Sequence, residues 1–215
     1  MKKILCLIAI AAIVSLGCSV SKVLESSPPS TQPKAETTTP PKAETTEAPS
    51  TAAKEAAVKL PPEADSSSAF LQIENAMHRL APSDQSGELS LVQLKKESVK
   101  QKLQGVLITN CELEHLKALV AAKKAPIVII QTTGGSKEFR AVTVYKDKSE
   151  QVILTNPFQK ETALMNYSEF DAAWKGAGTP QSALILSARS INATQLKQLL
   201  AEYLPAEKLA NLTFN

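Results

Sequence analysis

The chain is poor in the residues that carry most reactive chemistry: three cysteines and two histidines among 215 residues. Cys6 and Cys18 both lie in the first eighteen residues, so Cys111 stands alone in the rest. If the two early cysteines are processed or modified, no intramolecular disulfide is available even in an oxidising compartment, and stability must come from the core. His78 and His115 fall on separate segments with no carboxylate cluster beside them, a poor basis for a metal site, and no cofactor is expected. Glycine is scarce, at seven residues. The pair Gly134-Gly135 reads as a turn and carries no phosphate-loop pattern. There is no dense basic run: Lys95, Lys96, Lys100 and Lys102 share a helical stretch with Glu97 and lack interleaved aromatics, which fits a solvated face and argues against nucleic acid. No apolar run reaches the roughly 20 residues that a membrane-spanning helix needs.

What is present falls into three unlike stretches. Residues 1–17 begin with Lys2 and Lys3 and continue through eleven apolar residues, Ile4 to Val14. A charged start, a short apolar centre and a small-residue end make a secretory signal. The sequence Ser15-Leu16-Gly17-Cys18 resembles the lipobox of bacterial lipoproteins, in which a small residue precedes an acylated cysteine. Gly17 fits that position; Ser15 stands where an aliphatic residue is usual. The resemblance implies a lipid on Cys18, with two or three acyl chains such as palmitate. Each buried methylene adds about 0.8 kcal/mol, and more than one chain gives stable anchoring. Ser19, in place of Asp, implies sorting to an outer membrane in a Gram-negative envelope, facing the periplasm or the cell surface. The alternative is plain signal cleavage with an unmodified Cys18.

Residues 18–65 are rich in Pro, Thr, Glu and Lys, and Pro-Lys-Ala-Glu-Thr-Thr occurs at 33–38 and again at 41–46. With no aromatic residue to repay ordering, a disordered and partly polyproline tether is expected. A coil of this length spans roughly 35–40 Å on average.

Residues 66–215 hold the aromatics and nearly all the long apolar runs, with a net charge of +3 from 17 bases and 14 acids. That is enough chain for one ordinary core. The spacing predicts helices over 70–80, with Ser66–Ser68 as caps, over 89–103 with Leu89, Val92, Leu94, Val99 and Leu103 inward and Gly105 as stop, and over 111–122 capped by Asn110. Strands are predicted at 106–109 and at 127–131, which is β-branched almost throughout. A hairpin follows at 139–145 and 151–155, broken by Asn156-Pro157. A short helix over 167–174 capped by Ser168 and ended by Gly176 and Gly178, a strand at 182–188, a helix over 193–203 and a last turn after Pro205 complete the chain. Helices first and hairpin-linked strands later predict an α+β domain with N-terminal helices on a mainly antiparallel sheet.

Three stretches then carry a family resemblance over about residues 68–188. Leu91–Gly105 with Glu112–Leu119, the strand Ala125-Pro126-Ile127-Val128-Ile129, and Val152–Pro157 followed by Tyr167-Ser168-Glu169-Phe170 and Trp174-Lys175-Gly176 resemble the double-glycine leader peptidases of bacteriocin exporters, a branch of the papain-like cysteine peptidases. The resemblance implies a papain-like fold. That chemistry needs a cysteine thiolate at a helix N-terminus, a histidine base on the next hairpin and an Asp or Asn to orient it. Carried across, the cysteine position is Phe70, the histidine position is Phe139 and the Asp position is Asn156. Two of the three cannot act, so the resemblance implies a peptidase-like domain without catalysis, either a filled block or an apolar groove for an extended peptide or envelope protein. The competing reading is a cysteine peptidase with a displaced site at Cys111 and His115, four apart on one helix face. A buried structural cysteine is the blander account of that pair, and His78 with Glu74 is likewise an ordinary helix-face pair.

Overall fold

The chain divides into two units, residues 1–50 and 51–215. The computed structural model describes residues 58–80, 89–178 and 180–215, all in the second unit. The expected signal segment, Cys18 and the tether up to residue 57 lie outside the described residues.

The elements, in chain order, are β1 (Glu63–Asp65), α1 (Ser67–Arg79), α2 (Leu91–Lys100), β2 (Gln104–Thr109), α3 (Leu113–Ala121), β3 (Ile127–Gln131), β4 (Lys137–Lys146), β5 (Gln151–Thr155), β6 (Thr162–Asn166), α4 (Tyr167–Gly176), β7 (Ser182–Ser187), α5 (Ala193–Ala201), α6 (Ala206–Ala210) and β8 (Thr213–Phe214). Seven strands run in the order β6-β5-β4-β3-β7-β2-β8, and β1 pairs with β4. Every pairing is antiparallel. The α+β class and the antiparallel sheet therefore hold.

Strand alternation divides the core in two. Leu107, Ile127, Ile129, Ala141, Leu184 and Leu186 join one cluster with α1 and α2. Their neighbours Val106, Ile108, Val128, Ile130, Val142 and Ile185 join another with α3, α4 and α5. The sheet is thus buried on both faces, which is why β3 reads as a β-branched run from Ile127 to Ile130. On β4 the parity changes: Ala141 belongs to one cluster, while Val142 and Tyr145 belong to the other. The register shift between Val142 and Val144 is the cause, since an inserted residue turns the strand over. At the centre of the second cluster Phe170 and Trp174, one helical turn apart, lie with ring centroids 5.6 Å apart and are fully buried. Burying one such side chain contributes about 1.5–3 kcal/mol.

Several boundaries differ from expectation. The tether was expected to run to residue 65, but its last residues belong to the sheet. β4 has ten residues and β3 only five, so β3 covers Lys137–Ala141 and leaves the far half of that edge open. β1 takes Val144–Lys146, and the Ser66 N–H and Oγ both donate to the Thr143 carbonyl, at 2.7 and 3.0 Å. Tyr145 Oη donates to the Pro61 carbonyl (2.7 Å) and the Asp147 N–H to that of Pro62 (2.8 Å). Ser66 holds the N-cap position of α1, where its carbonyl accepts from the Ala69 and Phe70 N–H groups, but its side chain does not cap the helix. Asp65 does that work: its carboxylate accepts from the Ser67 N–H at 2.7 Å, which holds the carboxyl below its ordinary range.

On α2 the buried positions are Leu91, Leu94 and Ser98, whereas Val92 and Val99 are 48% and 63% exposed. The helix stops at Lys100, so Leu103 does not share its phase. Gly105 is not the stop; Lys102 takes the left-handed conformation (φ 60°). Gly105 sits inside β2, where a Cβ would meet the Leu186 side chain at 2.8 Å. Two caps also move. Asn110 lies in the left-handed region, and Glu112 forms a capping box with His115. Asn166, rather than Ser168, caps α4 through a box with Glu169. β6, β8 and α6 were not expected as elements.

Candidate functional site

Phe70, in the first turn of α1, and Phe139, on β4, belong to the same buried cluster, 3% and 8% exposed. Phe158 meets Phe139 edge to face, with ring centroids 5.9 Å apart and planes at 72°. Asn156 is two residues before Phe158 and buried. Its Oδ1 accepts from the Phe158 N–H (2.9 Å), and its amide donates to Gln159 Oε1 (3.2 Å). These bonds turn the chain after β5 and swing Phe158 onto Phe139. The structure therefore brings two of the three carried-over positions into one cluster and joins the third to it through Phe158. Aromatic and aliphatic side chains fill the space between them.

Cys111 and His115 do not form a pair. Cys111 precedes α3, and its Sγ contacts the Ile108 carbonyl at 3.8 Å. Burial pushes its thiol up to about 12, so no useful thiolate forms near neutrality. His115 Nδ1 accepts from the Glu112 N–H (2.8 Å), and Nε2 lies 2.8 Å from the Lys208 carbonyl. With Nδ1 accepting, the proton sits on Nε2 and is donated to that carbonyl. Both ring nitrogens are thus spent, Nδ1 on the N-terminus of α3 and Nε2 on fastening α3 to α6. Lys208 adds to this contact, with Nζ 2.9 Å from both Glu112 and Glu114 carboxylates. His78 and Glu74 face different surroundings: Glu74 lies 3.9 Å from Lys160 Nζ, and His78 Nε2 is buried without a hydrogen-bond partner. Among the described residues no group of three or more His, Cys, Asp or Glu could hold a metal ion.

The other face of β4 differs. Glu138 and Arg140 flank Phe139 and point the opposite way. They form an ion pair in which the Arg140 side chain is 13% exposed. The pair lines a groove of about 610 Å³ between the sheet and α4, whose walls include Leu154, Ala163, Met165, Glu169 and Ala173. Sequence reading missed this groove. The signal was available in the alternation of Lys137–Lys146, where placing Phe139 inward on one face sets Glu138 and Arg140 together on the other. The groove's remaining walls come from β3 and the turn after it, β5, β6 and α4, and the packing of the last two is not spelled out by the sequence.

A second polar assembly secures the start of the domain. Lys117 Nζ lies 2.5 Å from Asp147 and stands over the rings of Tyr145 and Tyr167, 5.1 and 5.5 Å from their centroids. Tyr167 Oη donates to Asp147 at 2.6 Å. Burial pushes both phenols upward, Tyr145 to about 12. Every group here is matched by another of this chain, so the assembly acts as a fastening for β1 and the turn after β4.

No protein-family model and no curated protein matches this chain.

Proposed function

We propose that this chain is an exported, lipid-anchored protein of the cell envelope, presenting a papain-like domain that does not cleave and acts as a binding or scaffolding module. The observation that carries the reading is the burial of Phe70 and Phe139 in one cluster, closed from the side by Phe158. A helix start and a hairpin strand approach each other there, as a cysteine and a histidine would have to, and the third position, Asn156, follows in the turn beyond β5. The filling favours a closed block at the former cleft over an open groove, so any partner binds elsewhere. The alternative of a displaced peptidase loses its support, since the Cys111 thiol is buried and His115 is fully engaged.

The decisive experiment restores the missing pair. Phe70→Cys combined with Phe139→His should create a thiol that reacts with iodoacetamide at pH 6 far faster than in either single variant, because a neighbouring imidazolium stabilises the thiolate beyond what the helix N-terminus alone supplies. A double variant that melts cooperatively yet keeps an unreactive thiol would overturn the papain-like reading. Mass spectrometry of the membrane fraction tests the anchor: an unmodified Cys18 leaves a secreted protein.

A further inference from the structure

β6 ends the sheet, and among the described residues its only strand neighbour is β5. Its hydrogen bonding can be phased. The Asn156 N–H donates to the Glu161 carbonyl (2.7 Å) and the Tyr167 N–H to that of Glu150 (2.8 Å). Both bonds continue the register in which Thr155 faces Thr162 and Gln151 faces Asn166. Bonded and non-bonded pairs alternate in an antiparallel ladder. Glu161, Ala163, Met165 and Tyr167 therefore turn their backbone groups toward β5, and Thr162, Leu164 and Asn166 turn theirs outward. The Asn166 N–H is already taken by the Glu169 carboxylate at 3.3 Å. Thr162 and Leu164 are left with outward N–H and C=O groups.

The edge carries none of the usual guards. β6 has no proline, no charged residue and no bulge, and Leu164 at its middle is 60% exposed. The same strand lines the groove, since Ala163 and Met165 face it together with Glu169 and Ala173 of α4. The groove's charged groups are Glu138, Glu169 and Arg140, two carboxylates against one guanidinium.

We propose that β6 and the groove beside α4 form a peptide-binding site: an extended segment adds antiparallel to the free edge and places one long basic side chain in the groove. This rests on the non-catalytic binding reading above and supplies its partner class. Backbone pairing at Thr162 and Leu164 sets one residue of the incoming strand opposite Ala163. That pair is not hydrogen-bonded, so its side chains come closest together, and both lie on the groove face. Ala163 is small, so a long side chain opposite it passes over the rim. Its apolar stem meets Leu154, Met165 and Ala173, and its cationic tip meets the excess carboxylate. The residues on either side of it fall on the opposite face, one across from Leu164 and the other across from Thr162. This joins main-chain affinity to one side-chain pocket. A second copy of β6 fits less well, because the register using all four free groups sets Ala163 against Ala163 and leaves the groove empty.

The test is fluorescence anisotropy of the full chain with the labelled pentapeptide Thr-Val-Arg-Val-Thr. Saturable binding is expected. It should weaken about tenfold or more when the peptide's Arg is changed to Glu, when the peptide backbone is N-methylated at both Val residues, and in Leu164→Pro, each of which removes a charge contact or a backbone hydrogen bond. The proline removes only an outward N–H, and a thermal melt shows whether the variant is folded; the methylated peptide leaves the protein untouched. Absence of saturable binding, equal binding of the Arg and Glu peptides, or indifference to N-methylation would overturn the site. So would sedimentation showing a dimer that Leu164→Pro splits, which would give the edge to a second copy. None of these results bears on the thiol of the Phe70→Cys/Phe139→His variant, so the two readings fail separately.

Discussion

Glu138, Phe139 and Arg140 are consecutive on β4, yet they serve two places with nothing chemical in common. Phe139 faces α1, where Phe70 and Phe158 help to close a dry cluster. Glu138 and Arg140 face α4, where the sheet is left partly uncovered and a groove with both apolar and charged walls remains. The difference follows from what covers each face. α1 and α2 lay Phe70, Ile73, Met77, Leu91 and Leu94 over the first. α4 presents Phe170 and Trp174 to the core beside β3, and its flank of Glu169, Ala172 and Ala173 is too small to fill the second. On the reading proposed above, the face of β4 that would carry a catalytic base is filled, and the proposed binding surface lies on the other.

Four measurements would break or sharpen this contrast. The largest effect is expected on the filled face: Phe139→Ala should destabilise by about 3–5 kcal/mol in denaturant melts, because it removes a buried ring and leaves a cavity. A loss below about 1 kcal/mol would mean that the cluster is not closed. Next, deleting residues 58–65 should cost about 2–3 kcal/mol, since it strips β1, the buried Ala64 and the Tyr145–Pro61 bond from the edge of β4. A deletion with an unchanged midpoint would return these residues to the tether. On the groove face, Arg140→Met keeps the aliphatic stem and loses a partly exposed ion pair, so only about 1 kcal/mol or less is expected. An effect as large as that of Phe139→Ala would erase the contrast.

The smallest effect near neutral pH concerns Cys111. It should resist iodoacetamide in the folded chain and react freely in urea. Its thiol is raised from 9.0 to about 12 by burial. Between those values the unfolded chain loses the proton while the folded chain keeps it, so stability is unaffected below pH 9 and falls as pH rises toward 12. Cys111→Ala should flatten that part of the stability-pH curve. Rapid labelling of the folded chain at neutral pH would reopen the displaced-site reading.

Much of the fold was legible because apolar spacing and turn chemistry are local. Gly134-Gly135 marks a real hairpin, with Gly135 at φ 79°. The run Ile127–Gln131 is a strand buried on both faces. α1 buries Phe70, Ile73, Ala76 and Met77, as its spacing requires. The misses share one cause, which is dependence on distant partners. Glu63–Asp65 has no strand signal of its own, and becomes β1 because β4 outlasts β3. Thr162–Asn166 is short and lies just after a proline turn, and becomes β6 because β5 offers it an edge. Ser66 has the side chain of a cap, but the Thr143 carbonyl 77 residues away claims it. Val92 and Val99 looked inward because a phase was carried on to Leu103, past the point where Lys102 ends the helix.

The candidate site divides in the same way. Phe70, Phe139 and Asn156 could be singled out from the sequence, and so could the absence of any Cys-His pair at those positions, since residue identity alone decides whether a nucleophile or base can exist there. Whether the space between them is open could not be read, because that depends on Phe158 folding back onto Phe139. By itself the sequence determined the helix and strand periods, the separation of the proline-rich stretch from the apolar remainder, and the chemistry that the carried-over positions lack. Only the tertiary structure decided which face of β4 is filled, which end of the sheet is left unpaired and where the domain begins. Those outcomes are set by pairing and packing between residues far apart in the chain, and no local period encodes them.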